Sequence, residues 1–242
     1  MSETIPSGVY DAILFDLDGV LTPTAEVHMR AWSEMFNGYL ATVPGQAPYT
    51  DSDYFAYVDG KPRYDGVRDF LTSRGITLPE GTPDSDPAEE SVCGLGNRKN
   101  DAFNAVLERD GVAPYPGSLA FLEATKEDYK FAVVSSSKNA PAVLAAAGLS
   151  GYFAVIVDGR VAAENGIPGK PAPDTFVRAA ELLDSTPATS IVVEDAISGV
   201  QAGATGDFGL VIGVDRGVGE DALRAAGADV VVPDLGDIEV AR

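Results

Sequence analysis

The sequence predicts an α/β fold: a doubly wound parallel sheet with a small α-helical domain inserted after its first strand. Two observations carry this. Short apolar runs of strand length recur along the chain, rich in β-branched residues and separated by Ala-rich stretches of helical length. A parallel sheet covered on both faces reads in that way, as continuous rather than alternating apolar strands. Between the first run and the second, however, lies a long block in which the apolar positions follow helical spacing and no strand is evident.

The first run, Tyr10-Asp11-Ala12-Ile13-Leu14-Phe15, stops at Asp16. Thr24 can then cap a helix in which His28, Trp32, Met35, Phe36 and Tyr39 share one face. A second helix is expected over 65–73. A third is expected over 89–109, with Leu95, Lys99, Phe103, Val106 and Leu107 on one stripe. Pro- and Gly-rich breaks fall at 43–45, 81–87 and 114–117. The remaining strand-length runs lie at 131–134, 153–157, 191–193, 210–214 and 230–232. The expected domains are therefore an α/β core of 1–24 with 111–242, and a helical insertion of 25–110.

Composition narrows the class. Hydrophobic residues make up 45% and charged residues 22%, enough apolar surface for a packed core. No apolar run reaches the ~18 residues of a membrane span, and the N-terminus lacks a basic-then-apolar leader, so a cytoplasmic location is expected. The single cysteine, Cys93, excludes an internal disulfide framework and reads as a small apolar residue. A net charge of −20 repels nucleic-acid backbones and anionic membranes, so neither is expected as a partner. An anionic ligand would need a local set of cations.

Four polar clusters follow apolar runs, and in a doubly wound sheet the carboxyl ends of the strands are where ligands bind. The first is Asp16-Leu17-Asp18-Gly19, where strand alternation would point both carboxylates the same way. A calcium loop is excluded, because Gly19 comes too early and no glutamate stands at the required spacing. Ser135-Ser136-Ser137-Lys138-Asn139 offers donors suited to an oxyanion, and could equally cap a helix. Lys170, in Gly169-Lys170-Pro171-Ala172-Pro173-Asp174, has little slack between prolines, although lysines in loops are usually solvated. Glu194-Asp195 ends an apolar run and is followed by Gly199 and Gly203. A buried acidic pair is costly without a cation, which makes a hard divalent metal its natural partner. Taken singly, Asp16-Leu17-Asp18 is as readily a surface turn.

Acid, hydroxyl, lysine and acid in this order resemble the four motifs of the haloacid dehalogenase superfamily, over nearly the whole chain. Residues 16–32, 135–139, 169–176 and 194–203 are similar to its β-phosphoglucomutase-like subfamily, helical cap included. The resemblance implies that Asp16 is the phosphoryl-accepting nucleophile and Asp18 the general acid and base. It implies Mg²⁺ among Asp16, the main-chain carbonyl of Asp18, Asp195 and Glu194. Lys170 and Ser135 would steady the phosphoryl group, with Ser136, Ser137, Lys138 and Asn139 beside it. In the cap it implies substrate contacts from Thr24, His28, Gly60, Arg63 and Lys99, with Arg63 gripping a second phosphate. A lone histidine on an apolar face is otherwise core, and Lys99 could instead snorkel. The implied partner is a phosphorylated sugar and the implied state a monomer. The implied reaction is the interconversion of β-glucose 1-phosphate and glucose 6-phosphate, with hydrolysis of a small phosphomonoester as the alternative. The cap would close over the strand ends to exclude water. Departures from the subfamily are Pro23 at a commonly acidic position and longer segments at 81–87 and 158–169.

Overall fold

The structure, a computed structural model, describes residues 3–6 and 8–240. Its strands are β1 (Glu3–Ile5), β2 (Ala12–Phe15), β3 (Lys130–Val134), β4 (Val155–Val157), β5 (Ser190–Glu194), β6 (Leu210–Val214), β7 (Val230–Val232) and β8 (Ile238–Val240). Its α-helices begin with α1 (Thr24–Leu40), α2 (Asp51–Tyr57), α3 (Arg63–Ser73), α4 (Val92–Asp110) and α5 (Pro116–Thr125). They continue with α6 (Ala140–Ala146), α7 (Gly159–Glu164), α8 (Asp174–Leu182), α9 (Ile197–Thr205) and α10 (Glu220–Ala226). Two compact units result, Met1–Pro23 with Val112–Arg242, and Thr24–Gly111. These limits differ by one residue from those expected.

In the α/β unit six parallel strands run in the order β4-β3-β2-β5-β6-β7. The expected doubly wound sheet is thus present. β2 is central: Phe15 is in register with Val133 on one side and Val193 on the other. The chain after β2 emerges between its neighbours, at the point where the strand order reverses. Successive residues of β2 serve opposite faces of the sheet. Ala12 and Leu14 join a core with Val134, Phe176, Ala179 and Val192. Phe15 instead makes edge contacts with Phe121, Phe131 and Phe153, at ring separations of 6.2, 5.4 and 6.1 Å.

β1 and β8 form a separate parallel pair, Glu3 opposite Ile238, which the sequence did not announce. Three residues with a polar centre make no apolar run.

The unit Thr24–Gly111 is helical, as expected, around an aromatic core. Phe36 stands 4.2 Å from Phe70 and 5.3 Å from Trp32. Three boundaries differ from expectation. Thr24 is the first residue of α1 and buried, not the residue before the helix. α3 starts at Arg63, because Pro62 is well suited to the boundary position. α4 starts at Val92, because the Ser91 hydroxyl accepts from the Gly94 N–H at 3.0 Å. α2 was not expected. Thr50 and Asp53 form a capping box at its start. No described helix is long and apolar enough to cross a membrane.

Candidate active site

Asp16 is the first residue after β2 and is 7% exposed, with its N–H donating to the Val193 carbonyl at 2.9 Å. Strand geometry does not persist to Asp18, so alternation is not what orients that side chain. The chain turns instead: the N–H groups of Leu21 and Thr22 both reach the Leu17 carbonyl, and Gly19 N–H reaches the Thr22 carbonyl. Asp18 is half-buried on this turn. Gly19 has φ of +88°, and a Cβ there would lie 1.8 Å from Asp195 Oδ2. The turn therefore needs glycine for its backbone conformation and for the approach of the second acidic motif.

Lys170 is buried rather than solvated. Its Nζ donates to Asp16 Oδ1 at 2.5 Å, to the Val134 carbonyl at 2.9 Å and to Glu194 Oε1. It also lies 4.9 Å from the centre of the Phe176 ring. Glu194 closes β5, and its other oxygen accepts from the N–H groups of Asp195 and Ala196 at 3.1 and 3.2 Å. Gly199 allows this, because a Cβ there would lie 1.8 Å from Glu194 Oε1.

Three carboxylates, from Asp16, Glu194 and Asp195, each offer an oxygen within 4.8 Å of the others, all buried. Burial pushes the Asp16 carboxyl well above its ordinary range; Lys170 pulls it back, and Glu194 and Asp18 push it up again. Burial likewise works against the Lys170 ammonium, but Asp16 and Glu194 outweigh it and raise its proton affinity. One ammonium offsets one of the three carboxylates. The remaining excess of buried negative charge, borne on hard oxygen donors, fits a divalent cation such as Mg²⁺ and not a thiophilic metal. The Asp18 carboxylate lies outside this group of three.

Ser135 directly follows β3, one residue past the carbonyl that Lys170 holds. Its hydroxyl accepts from Ser137 N–H at 3.1 Å, and the Ser137 hydroxyl accepts from Asn139 N–H at 3.1 Å. Ser136, Lys138 and Asn139 are half-buried on the same turn. The segment 158–169 packs on it. Asp158 caps α7, Gly159 N–H reaches the Ser137 carbonyl at 3.2 Å, and a Cβ on Gly159 would meet the Ser136 carbonyl at 2.6 Å.

The helical unit brings its own residues together. Lys99 Nζ meets His28 Nδ1 in a short contact, both side chains buried. The His28 ring stacks on Phe103 at 4.0 Å, and Lys99 Nζ lies 5.1 Å from the ring centres of both Trp32 and Phe103. Lys99 therefore turns inward. Arg63 is held by Asn100 Oδ1 at 2.6 Å, and burial lowers its proton affinity. Beside it the Tyr64 hydroxyl donates to Asn97 Oδ1 at 2.9 Å, and the Asn97 amide group fixes the carbonyls of Pro83 and Ser85. Sequence reasoning passed over Asn97 and Tyr64; only their spacing from Lys99 and Arg63 marks them. Gly60, with φ of +69°, turns the chain into α3, and Lys61 pairs with Asp69 at 2.8 Å.

The family model for haloacid dehalogenase-like hydrolases matches residues 10–207, which takes in all four motif segments. A β-phosphoglucomutase of Mycobacterium bovis is 51% identical over 238 residues, 94% of this chain and 90% of that protein. Hexitol phosphatase A of Escherichia coli is 30% identical over 231 residues, 95% and 93% of the two chains. The solved β-phosphoglucomutase of Clostridium difficile shares the fold with a TM-score of 0.76 at 24% identity, covering 95% and 93% of the two chains. A family model over residues 10–207 and identity of this extent over most of the chain leave one assignment: the chain belongs to the haloacid dehalogenase-like hydrolase family, as an enzyme of its β-phosphoglucomutase-like branch.

Proposed function

We propose that the protein is a Mg²⁺-dependent phosphomutase that interconverts β-glucose 1-phosphate and glucose 6-phosphate through the 1,6-bisphosphate. The observation that carries the chemistry is the buried set at the end of the central strand, with Asp16 beside Lys170, Glu194 and Asp195. The 51% identity to a β-phosphoglucomutase supports the choice of sugar.

Asp16 attacks phosphorus through a carboxylate oxygen, and the bond to the leaving oxygen breaks as that oxygen takes the Asp18 proton. An aspartyl-phosphate results. In the second half Asp18 takes a proton from the accepting sugar hydroxyl, whose oxygen attacks phosphorus and frees Asp16. Asp16, Glu194, Asp195 and the Asp18 carbonyl would hold Mg²⁺, which when bound offsets charge where a carboxylate meets a phosphate dianion. Lys170 keeps Asp16 ionised and aligned. Ser135 and the 136–139 turn bind phosphoryl oxygens. On the helical unit Arg63 takes the non-reacting phosphate as a guanidinium fork, with Gly60, Thr24, His28 and Lys99 completing the sugar-phosphate contacts.

The relationship to a hexitol phosphatase favours one other reading, in which water accepts the phosphoryl group from the same Asp16. Phosphorus NMR separates the two. Protein, Mg²⁺, β-glucose 1-phosphate and a trace of glucose 1,6-bisphosphate should give glucose 6-phosphate with little free phosphate, and Asp16→Asn should abolish it. Free phosphate as the main product would overturn the mutase reading in favour of the phosphatase.

A further inference from the structure

Three successive carbonyls of the turn that carries Asp18 are each received by a donor from elsewhere in the α/β unit. The Val20 carbonyl accepts from the buried Ser118 hydroxyl at 2.6 Å, and the Leu21 carbonyl from Tyr115 N–H at 2.9 Å. Both donors belong to the start of α5 and are fixed by it. The Gly19 carbonyl, adjoining Asp18, depends on a side chain from outside α5: it accepts from Arg216 Nε at 2.8 Å.

Arg216 lies outside all four motif segments, in the loop after β6. Its Nη1 donates to the Pro233 carbonyl at 2.9 Å, and Nη2 reaches Asp234 Oδ2 at 3.4 Å, both in the loop after β7. Its guanidinium lies 3.8 Å from the centre of the Tyr115 ring. α5 is drawn tight against the same loop, since a Cβ on Gly117 would stand 1.5 Å from Asp234 Oδ1. One half-buried guanidinium thus ties together the loops after β2, β6 and β7 and the start of α5. A planar fork with five donors can do this, and a lysine ammonium cannot.

We propose that Arg216 is a positioning residue for Asp18. It clamps the carbonyl of a glycine, which lacks a Cβ and so resists rotation little, and thereby fixes the main chain from which the Asp18 carboxyl is presented. Asp16 is held independently, by Lys170 and by its N–H on the Val193 carbonyl. The proposal rests on the reading of Asp18 as proton donor. In that step the P–O bond to the leaving oxygen breaks, its electron pair stays on that oxygen, and the Asp18 proton joins it while the Asp16–phosphorus bond forms. Loss of Arg216 should therefore harm transfer from alkyl phosphates, whose leaving oxygen needs the proton. Transfer from aryl phosphates, whose phenolate departs without one, should be spared.

The test compares wild type, Arg216→Ala, Arg216→Lys and Asp18→Asn on β-glucose 1-phosphate and p-nitrophenyl phosphate. General-acid catalysis contributes about 10²–10⁴-fold, so partial misplacement in Arg216→Ala should lower kcat on the sugar phosphate by roughly 10-fold or more, leaving KM and the pre-steady-state burst of p-nitrophenolate, which reports phosphorylation of Asp16 alone, within about 2-fold. Arg216→Lys should show the same selectivity to a smaller degree. If Arg216→Ala does not fold by circular dichroism, the lysine variant decides alone. Equal losses on the two substrates, or none, would overturn the proposal. A p-nitrophenolate burst slowed in Asp18→Asn as much as the sugar-phosphate reaction would instead overturn the reading of Asp18 as the acid, and the two failures are separate results.

Discussion

Exchanging Lys170 for methionine tests whether the carboxylates of the α/β unit rest on its charge. Lys170 Nζ is buried against Asp16 Oδ1 at 2.5 Å, Glu194 Oε1 and the Val134 carbonyl at 2.9 Å. Methionine keeps most of the stem volume, so the loss is one of charge and hydrogen bonds. Removing one partner of a buried ion pair costs about 3–5 kcal/mol. The cost depends on pH in a definite sense. Burial already holds the Asp16 carboxyl above its ordinary range, and Lys170 is the group that pulls it down, so in Lys170→Met it rises further. A carboxyl whose affinity is raised by folding destabilises the fold when both states are ionised. The penalty shrinks as pH falls through the folded value and is gone below the unfolded one, near ~3.9. Urea unfolding in EDTA should therefore show a larger penalty at about pH 8 than at about pH 5.5. Far-UV circular dichroism is the probe to use, because the single tryptophan, Trp32, belongs to the helical unit and reports on that alone. A penalty below about 1 kcal/mol, equal at the two pH values, would refute the electrostatic account.

Three other outcomes are expected. Asn100→Ala deprives Arg63 of its 2.6 Å acceptor; with hydrogen bonds to charged groups contributing about 1.5–3 kcal/mol, KM for the sugar phosphate should rise roughly 10-fold or more, measured by steady-state kinetics. Gly199→Ala would place a Cβ 1.8 Å from Glu194 Oε1, so Glu194 must leave Lys170; turnover should collapse, and overpacking should cost about 1–3 kcal/mol in a urea melt. EDTA should abolish turnover and Mg²⁺ restore it. At about 100 times its dissociation constant the metal should also raise stability by ~2.7 kcal/mol in wild type, and by less in Asp195→Asn.

The sheet was legible because parallel strands buried on both sides leave unbroken apolar runs. Ile13-Leu14-Phe15 and Ile191-Val192-Val193 are of this kind, and all six residues are wholly buried. β1 and β8 left no such trace, being three residues long with Thr4 and Glu239 at their centres. α2 was hidden for another reason: seven residues hold too few turns for periodicity, and the usable signal was Thr50 three positions before Asp53. The acidic and lysine motifs could be read because each stands where an apolar run ends or a Pro-rich loop begins. The alternation argument for Asp18 failed because the strand stops at Phe15 and Gly19 redirects the chain. Arg216 was invisible, since its partners are the carbonyls of Gly19 and Pro233, the Asp234 carboxylate and the Tyr115 ring, in three separate stretches of the chain. Nothing in a lone arginine announces which carbonyls it will find.

The central strand has a consequence for the order in which the chain acquires structure. β2 is made early, yet Ala12 pairs with Lys130 and Ser190, so its first partner appears only after the whole helical insertion has been synthesised. Contacts that close such long loops carry a high entropic cost and form late. The helical unit, by contrast, draws its contacts from one continuous segment. On the ribosome it should become compact while Ala12–Phe15 is still an unpaired apolar edge. The β1–β8 pair must wait until residue 240 has emerged. For that interval the segment leading into Asp16 is the stretch most exposed to aggregation, and chaperone binding during synthesis should concentrate there.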